Sequence, residues 1–189
     1  MKSTNLNKAT LRKADGSLAN EKVYFHVYNR GVNGQSIFTS DDNYSFLLRR
    51  MNEYQSQFPI TVVAYCLMPT HYHFLIEAKN RVQASQFIQK LFNSYSQAFN
   101  KQQNRNGTLF ESRAKFKSIA TDEHALQLCS YIHLNPVKAG LARKPEEWKY
   151  SNYVEWIDLK TDGQQNVVLR FFENPKEYEE YVNSSLAKG

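Results

Sequence analysis

A buried β-hairpin is the feature that most constrains how this 189-residue chain can fold. Residues Ile60 to Leu67 form a β-branched, nearly continuous apolar run, which is typical of a central strand covered on both faces. Met68-Pro69-Thr70 predicts a turn, and residues His71 to Ala78 then alternate between two dissimilar faces. These segments therefore predict two antiparallel strands joined by a short connection.

The other periodic segments predict an α+β domain around this hairpin. Alternation from Lys22 to Tyr28 predicts a strand that ends at Asn29-Arg30-Gly31, and the mixed segment 109–119 indicates a short strand. Helical spacing predicts three helices, which cover about 41–57, 81–103 and a third segment from Thr121 to a stop at Asn135-Pro136. Without repeats or linkers, we expect one domain over 22–157. A polar tail precedes it over 1–21, and an acidic extension over 158–189 packs on it or is partly mobile.

Basic residues are concentrated in one window of the sequence. Between Arg81 and Lys117 there are seven basic residues and one acid, whereas from Glu155 to the end seven acids outnumber four bases. Aromatic residues are interleaved with the basic ones, a composition that suits a phosphate backbone with stacked bases. The alternative is a solvated helix face over ordinary core aromatics. The candidate DNA contacts are Arg30, Lys90, Arg105, Arg113, Lys115 and Lys117, of which the last three alternate as one basic stripe.

Neither a membrane span nor a secretion signal is predicted. The longest apolar run, Ile60 to Pro69, is far shorter than the roughly 20 residues that a bilayer requires. Cys66 and Cys129 lie in apolar patterns and have no CxxC partner, which favours reduced thiols in the core. We therefore expect a cytoplasmic protein that reaches the nucleoid through DNA.

Two short motifs carry residues capable of chemistry. His71 and His73 lie two apart on a predicted strand, so both imidazoles can reach one metal ion, although ordinary strand histidines would give the same pattern. Tyr131 and Asn135 lie four apart on a predicted helix and therefore share one face. A buried tyrosine followed by an asparagine that caps the helix before Pro136 would look the same.

In combination, four motifs resemble those of the HUH single-tyrosine transposases, particularly the REP-associated tyrosine transposase branch. The resemblance covers about Lys22 to Tyr153, most of the chain. The motifs occur in the order Tyr28-Asn29-Arg30-Gly31, Tyr65-Cys66-Leu67-Met68-Pro69-Thr70-His71-Tyr72-His73, Gly107-Thr108-Leu109-Phe110-Glu111 and Tyr131-Ile-His-Leu-Asn-Pro-Val-Lys-Ala-Gly140.

The resemblance implies a ferredoxin-like antiparallel sheet with helices packed on it. The His-x-His pair would lie on a central strand and the nucleophilic tyrosine on a helix beside it. Carried over residue by residue, His71, His73 and Asn135 become ligands of Mg²⁺ or Mn²⁺, and Tyr131 becomes the nucleophile. Tyr95, on the basic helix, is the rival nucleophile. It is disfavoured because the residue four positions further on is a phenylalanine, which cannot bind a metal.

The implied activity is that of a metal-dependent DNA transesterase. Such an enzyme cleaves and rejoins single-stranded or hairpin DNA through a 5′-phosphotyrosine, and it conserves bond energy because one phosphodiester replaces another. Two alternatives stay open: a domesticated relative that binds DNA or RNA hairpins without cutting them, and a small metal-dependent hydrolase or structural zinc protein. Both monomers and homodimers occur among the relatives, so the oligomeric state is open too.

Three further titratable residues have open roles. His26 is expected on the polar face of the first strand, where a hydrogen-bonded structural role is favoured over a place beside the metal site. His133 lies two residues from Tyr131 and is expected to point away from it, because 200° of helix separates the two. Glu77 shares the strand face of the two histidines, where it would orient a ligand or lie at an exposed strand end.

Overall fold

A computed structural model describes residues 23–158 and 171–186 of the chain. The expected polar tail over 1–21 lies outside these residues, as does part of the acidic extension. In chain order the elements are β1 (Val23–Arg30), α1 (Asp41–Gln55), β2 (Ile60–Met68), β3 (His71–Ala78), α2 (Arg81–Gln102), β4 (Lys115–Ile119), α3 (Asp122–Lys138), α4 (Tyr153–Ile157) and α5 (Pro175–Leu186), with 3₁₀ turns at Val32–Gly34 and Pro145–Glu147.

The four strands form one antiparallel sheet in the order β2-β3-β1-β4. With the connectivity βαββαβ, this order is the ferredoxin-like arrangement, which confirms the predicted fold class. The hairpin of β2 and β3 is present, and β3 is one of the two inner strands. β1 continues two residues beyond the predicted end at Tyr28, because Asn29 and Arg30 still pair with Tyr72 and His71.

One face of the sheet is covered by α1 and α2. Phe74 and Ile76 of β3 point to this face and pack with Leu47 of α1 and with Phe87 and Leu91 of α2. All five side chains are almost completely buried, so truncating a residue such as Phe74 to alanine would cost about 3–5 kcal/mol of folding free energy. Because Phe74 and Ile76 point into this layer, the alternate side chains of β3 point to the opposite face of the sheet.

The opposite face is covered by α3, α4 and α5. Leu75 of β3 packs there with Cys129 and Ile132 of α3, Trp156 of α4 and Tyr178 of α5. Both cysteines of the chain are free and buried. α5 is the described part of the acidic C-terminal extension, and it contacts α3 and α4 through Tyr178 and Val182.

α3 begins as predicted but ends later. The Thr121 hydroxyl accepts a hydrogen bond from the His124 N–H at 3.1 Å and caps the helix. The predicted stop at Pro136 is wrong, since the helix continues to Lys138. Pro136 removes one N–H donor only, and the helix closes afterwards in a Schellman motif, in which Gly140 adopts a φ of +70° and Leu141 N–H donates to the Pro136 carbonyl at 2.9 Å.

Candidate active site

The two motif histidines lie on the face of β3 that α3 covers. Their imidazole ring centroids are 5.2 Å apart, with the rings nearly perpendicular at 85°. Tyr72, between them, points through the sheet to the α1/α2 face, where it stacks on Phe92 at 3.9 Å. The alternation of the strand therefore separates a packing residue from two residues available for chemistry.

Tyr131 of α3 lies against this histidine pair. Its ring centroid is 5.7 Å from that of His73 in an edge-to-face arrangement, and 44% of the residue is exposed to solvent. The Lys138 ammonium is 5.9 Å from the same ring. Large apolar or aromatic side chains on α3 are otherwise mostly buried, so an exposed tyrosine at this position is not there to stabilise the core.

Asn135 lies one helical turn after Tyr131 and connects the helix to the strand. Its Nδ2 donates to the Tyr131 carbonyl at 2.9 Å, and its side chain lies close enough to His71 to raise the pKa of that imidazole. The structure thus brings together all four residues that the sequence motifs single out, with two from β3 and two from α3.

Burial keeps the site histidines in their neutral form. Desolvation lowers the pKa of His73 to about 3, and the neighbouring His26 and His71 lower it further. Desolvation also lowers the pKa of His71, an effect partly offset by the neighbouring Asn135 side chain, which favours the protonated imidazole. Neutral imidazoles keep a lone pair, as metal ligands must, and an amide oxygen can complete such a set.

The donor set fits a divalent metal with open coordination positions. Two imidazoles and one amide leave room for water or a phosphate oxygen, as a catalytic rather than a structural site requires. Within the described ranges 23–158 and 171–186, no group of three or more His, Cys, Asp or Glu side chains is placed to hold a metal ion.

His26 is both hydrogen-bonded and a neighbour of the site. Its Nε2 lies 3.0 Å from His73 Nδ1, and the two residues belong to the paired strands β1 and β3. Burial, followed by the charge of Lys117, lowers the pKa of His26 to about 4. The sequence left a hydrogen-bonded structural role and a place beside the site as alternatives for His26, whereas in the structure His26 is both hydrogen-bonded and beside the site.

Tyr28 is a neighbour of the site that the sequence reasoning did not identify. Its ring centroid lies 4.8 Å from that of His26 and 6.0 Å from that of His73, and Lys115 Nζ is 5.9 Å from it. The i, i+2 spacing of Tyr28 with His26 predicts that the two side chains share one face of β1. Its meaning depended on the pairing of β1 with β3, which a single sequence does not provide.

Other titratable candidates lie away from the reactive group. Tyr95 is almost fully buried between α1 and α2, and its hydroxyl donates to the Ile37 carbonyl, on the far side of the sheet from the histidines. His133 points away from Tyr131, as predicted, and is completely buried. Of the two roles left open for Glu77, the exposed strand end is wrong, because Glu77 is buried in register with Tyr24 and Thr61; the role of orienting a ligand stays a prediction.

The predicted DNA contacts fall into separate groups. Lys115 and Lys117 of β4 pair across the sheet with Tyr28 and His26, so they share the face of the site. Arg113 precedes β4 and lies on the other face, so the predicted three-residue stripe is divided.

The side chains of the remaining three basic candidates are held by local contacts, and of these residues Arg30 lies on β1 directly opposite His71. Arg30 forms a two-point ion pair with Glu111, with Nη2 to Oε1 at 2.9 Å. Lys90 donates to Gln57, and Arg105 donates to the Thr108 carbonyl at 3.2 Å.

Comparison with known proteins agrees with this arrangement. The family model described as "Transposase IS200 like" matches residues 19–135, more than half of the chain. A curated Haemophilus influenzae protein assigned to the REP-associated tyrosine transposases is 27% identical over 136 residues, which cover 62% of this chain and 77% of that protein. A solved structure of a REP-associated tyrosine transposase bound to a REP hairpin superposes with a TM-score of 0.57. The two sequences are 16% identical, and the match covers 72% of this chain and 79% of the other. This likeness shows a shared fold.

None of the helices in the described ranges is both long and apolar enough to cross a bilayer.

Proposed function

Since this chain belongs to the family of IS200-like transposases, we propose that it is a metal-dependent DNA transesterase that cleaves and rejoins single-stranded or hairpin DNA through a 5′-phosphotyrosine. The observation that carries the proposal is the solvent-exposed phenol of Tyr131 beside His73. A tyrosine that only stabilised the fold would be expected to bury its ring, as Tyr95 does.

His71, His73 and Asn135 would hold the metal. Bound there, a divalent ion supplies Lewis-acid polarisation of the scissile phosphate and stabilises the departing oxygen. The imidazoles are neutral at pH 7, as metal ligands must be, and the Asn135 side chain lies beside His71. His26 would support His73 through the contact of its Nε2 with His73 Nδ1, at 3.0 Å.

Tyr131 supplies the nucleophile. Its phenol oxygen attacks the phosphorus, the bond from phosphorus to the 3′ oxygen breaks, and the phenol proton leaves so that a free 3′-OH results. A second 3′-OH reverses the step and restores the phenol. Lys138, beside the ring, is placed to attract a non-bridging phosphate oxygen.

The substrate is assigned as DNA that is at least partly single-stranded. The site lies at a surface on which Tyr28, Lys115 and Lys117 continue from the histidines to the edge of the sheet. Cations along this path suit a phosphate backbone, and the solved relative is bound to a REP hairpin. Hairpins from the flanks of the protein's own gene are therefore the first substrates to try.

The test is a covalent adduct between protein and DNA. Labelled hairpins are incubated with protein and Mn²⁺ or Mg²⁺ and separated on a denaturing gel. We expect an adduct with the wild type that disappears with EDTA and with Tyr131→Phe. Tyr54→Phe is the matched control, because Tyr54 lies on α1, against Arg50 and Lys90, and Tyr95→Phe tests the rival nucleophile.

Each contrary result has a defined meaning. Retention of the adduct in Tyr131→Phe would contradict the assignment of the nucleophile. Hairpin binding without any adduct or cut product, with either metal, would replace the proposed enzyme by a non-cleaving hairpin-binding protein.

A further inference from the structure

A second concave surface lies on the sheet face opposite to Tyr131. This cleft, of about 540 Å³, runs between α2 and the segment that leads into β4, and its volume is in the range of ligand sites. The function proposed above makes no use of it. The wall on α2 is a polar stripe at helical spacing, made of Arg81, Ser85, Gln89, Asn93 and Ser96.

Aromatic rings form the floor and the second wall of the cleft. Tyr72 and Phe92 are stacked on each other, and Phe110 stands edge-on to both, with centroid distances of 5.7 and 5.3 Å. Phe110 and Phe116 are only partly buried, so their rings can be reached from the cleft. Base–aromatic stacking uses such surfaces and tolerates any base.

The cleft is cationic. Arg81 and Arg113 both line it, and no acidic side chain of the described residues does. The Arg81 guanidinium lies 5.3 Å from the Phe116 ring centroid, so a flat cation and an aromatic ring adjoin at one end. An arginine beside an exposed ring can bind a phosphate while the ring stacks on the neighbouring base.

Two amides on the α2 wall are available to a ligand. Gln89 and Asn93 are exposed, and neither side chain has a hydrogen-bond partner among the described residues. Each amide offers a carbonyl acceptor and two N–H donors, the combination that matches the edge of a nucleobase. An apolar peptide would leave both groups unpaired.

β4 connects the cleft to the reactive face. It is the edge strand of the sheet, with Lys115 and Lys117 on the face of the histidines and Phe116 on the face of the cleft. Arg113 lies directly before it. A single strand of DNA that passes over the two lysines can therefore enter the cleft once it has crossed the edge of the sheet at β4.

We propose that the cleft between α2 and Phe110–Phe116 binds an unpaired base of the DNA strand whose phosphate is attacked on the opposite face. The base stacks on the exposed rings, Gln89 and Asn93 bond its edge, and Arg81 and Arg113 bind the adjoining phosphates. The identity of the ligand as DNA rests on the proposed function.

The first test locates the base by photocrosslinking. A hairpin with a single-stranded flank of about ten nucleotides carries one 5-iodouracil in the flank, and crosslinked peptides are identified by mass spectrometry. We expect crosslinks to Phe110 or Phe116 for at least one position of the probe. Crosslinks confined to the reactive face, for example to Tyr28 or Tyr131, would overturn the proposal.

The second test measures affinity for the flanked hairpin and for the same hairpin without a flank. The wild type should prefer the flanked DNA about tenfold, and Gln89→Ala with Asn93→Ala should remove this preference. The matched control is Gln86→Ala with Gln97→Ala, two exposed glutamines of the same helix outside the cleft. An equal preference in both double variants, or none in the wild type, would overturn the proposal.

The outcomes separate this inference from the proposed function. A wild type that forms the Tyr131 adduct but shows no preference for the flank overturns the role of the cleft alone. A wild type that binds the flank through the cleft but forms no adduct overturns the transesterase alone.

Discussion

At the scale of single residues, burial sets the chemical state of the site. Three histidines, His26, His71 and His73, lie in contact, and burial lowers the pKa of each. At neutral pH the cluster is therefore uncharged, so its members do not repel one another or a metal cation. The exposed Tyr131 beside them is the group left in contact with solvent.

His26 is predicted to position His73 for metal binding. When His73 Nδ1 donates its hydrogen to His26, the other ring nitrogen keeps its lone pair for a metal. His26→Ala should therefore weaken Mn²⁺ binding, measured by calorimetry, by about 10- to 100-fold. His26→Gln should restore part of the affinity. His124→Ala, an exposed histidine at the start of α3, is the control, and equal affinities in His26→Ala and His124→Ala would contradict this role.

At the scale of elements, the position of α3 decides whether the site forms. His133 anchors the helix from its buried side: Tyr178 of α5 lies 2.6 Å from Nδ1, and Asn152 Oδ1 lies 3.0 Å from Nε2. Asn152 is itself fixed, since its Nδ2 donates to the Val63 carbonyl and its Oδ1 accepts the Tyr65 N–H. His133 is thus held as one neutral tautomer, two residues from Tyr131.

This anchor predicts a loss of stability in mild acid. Burial lowers the pKa of His133 to about 4, whereas the unfolded chain protonates near pH 6.5. The stabilisation is complete above pH 6.5 and is lost as the pH falls toward 4. At pH 5 the loss from His133 alone is about 2 kcal/mol of unfolding free energy. In urea titrations at pH 7 and pH 5, His133→Gln should lose about 2 kcal/mol less than the wild type, and identical losses would contradict the prediction.

The four strands and helices α1 to α3 could be predicted from local patterns, because β-branched runs, helical spacing and caps such as Thr121 are local signals, whereas α4 and α5 were not predicted. The end of α3 could not be predicted. A proline is a usual stop, but α3 continues two residues beyond Pro136 to Lys138, and the motif at Gly140 then closes the helix.

The site could be predicted in part for a related reason. The spacing of His71 and His73 and of Tyr131 and Asn135 shows which residues share a face. The contacts of His26 and Tyr28 depend on the register of β1 with β3, and the separation of Arg113 from Lys115 depends on where β4 begins. Register and strand ends are set by packing over the whole sheet, so a single sequence leaves them open.

At the scale of the whole molecule, the sheet separates two surfaces. One carries the histidines, Tyr131 and the two lysines of β4, and the other carries the cleft on α2. Tyr131 and the histidines come from the same chain and are already in contact. One chain thus brings the tyrosine and the histidines together.

This completeness predicts that each chain acts with its own tyrosine. Tyr131→Phe mixed with His73→Ala should give no adduct, because neither chain contains an intact set. Mixing His73→Ala with wild type controls for inhibition by the variant. An adduct in the first mixture would mean that tyrosines are exchanged between copies.

The most direct measurement is to identify the amino acid that carries the DNA. An adduct formed on a hairpin with Mn²⁺ is trimmed with nuclease and trypsin, and the modified peptide is sequenced by mass spectrometry. The predicted result is a nucleotide joined through its 5′ phosphate to Tyr131, in the peptide that ends at Lys138. A nucleotide on Tyr28 or another residue, or attachment through a 3′ phosphate, would contradict the assignment of Tyr131 as the nucleophile.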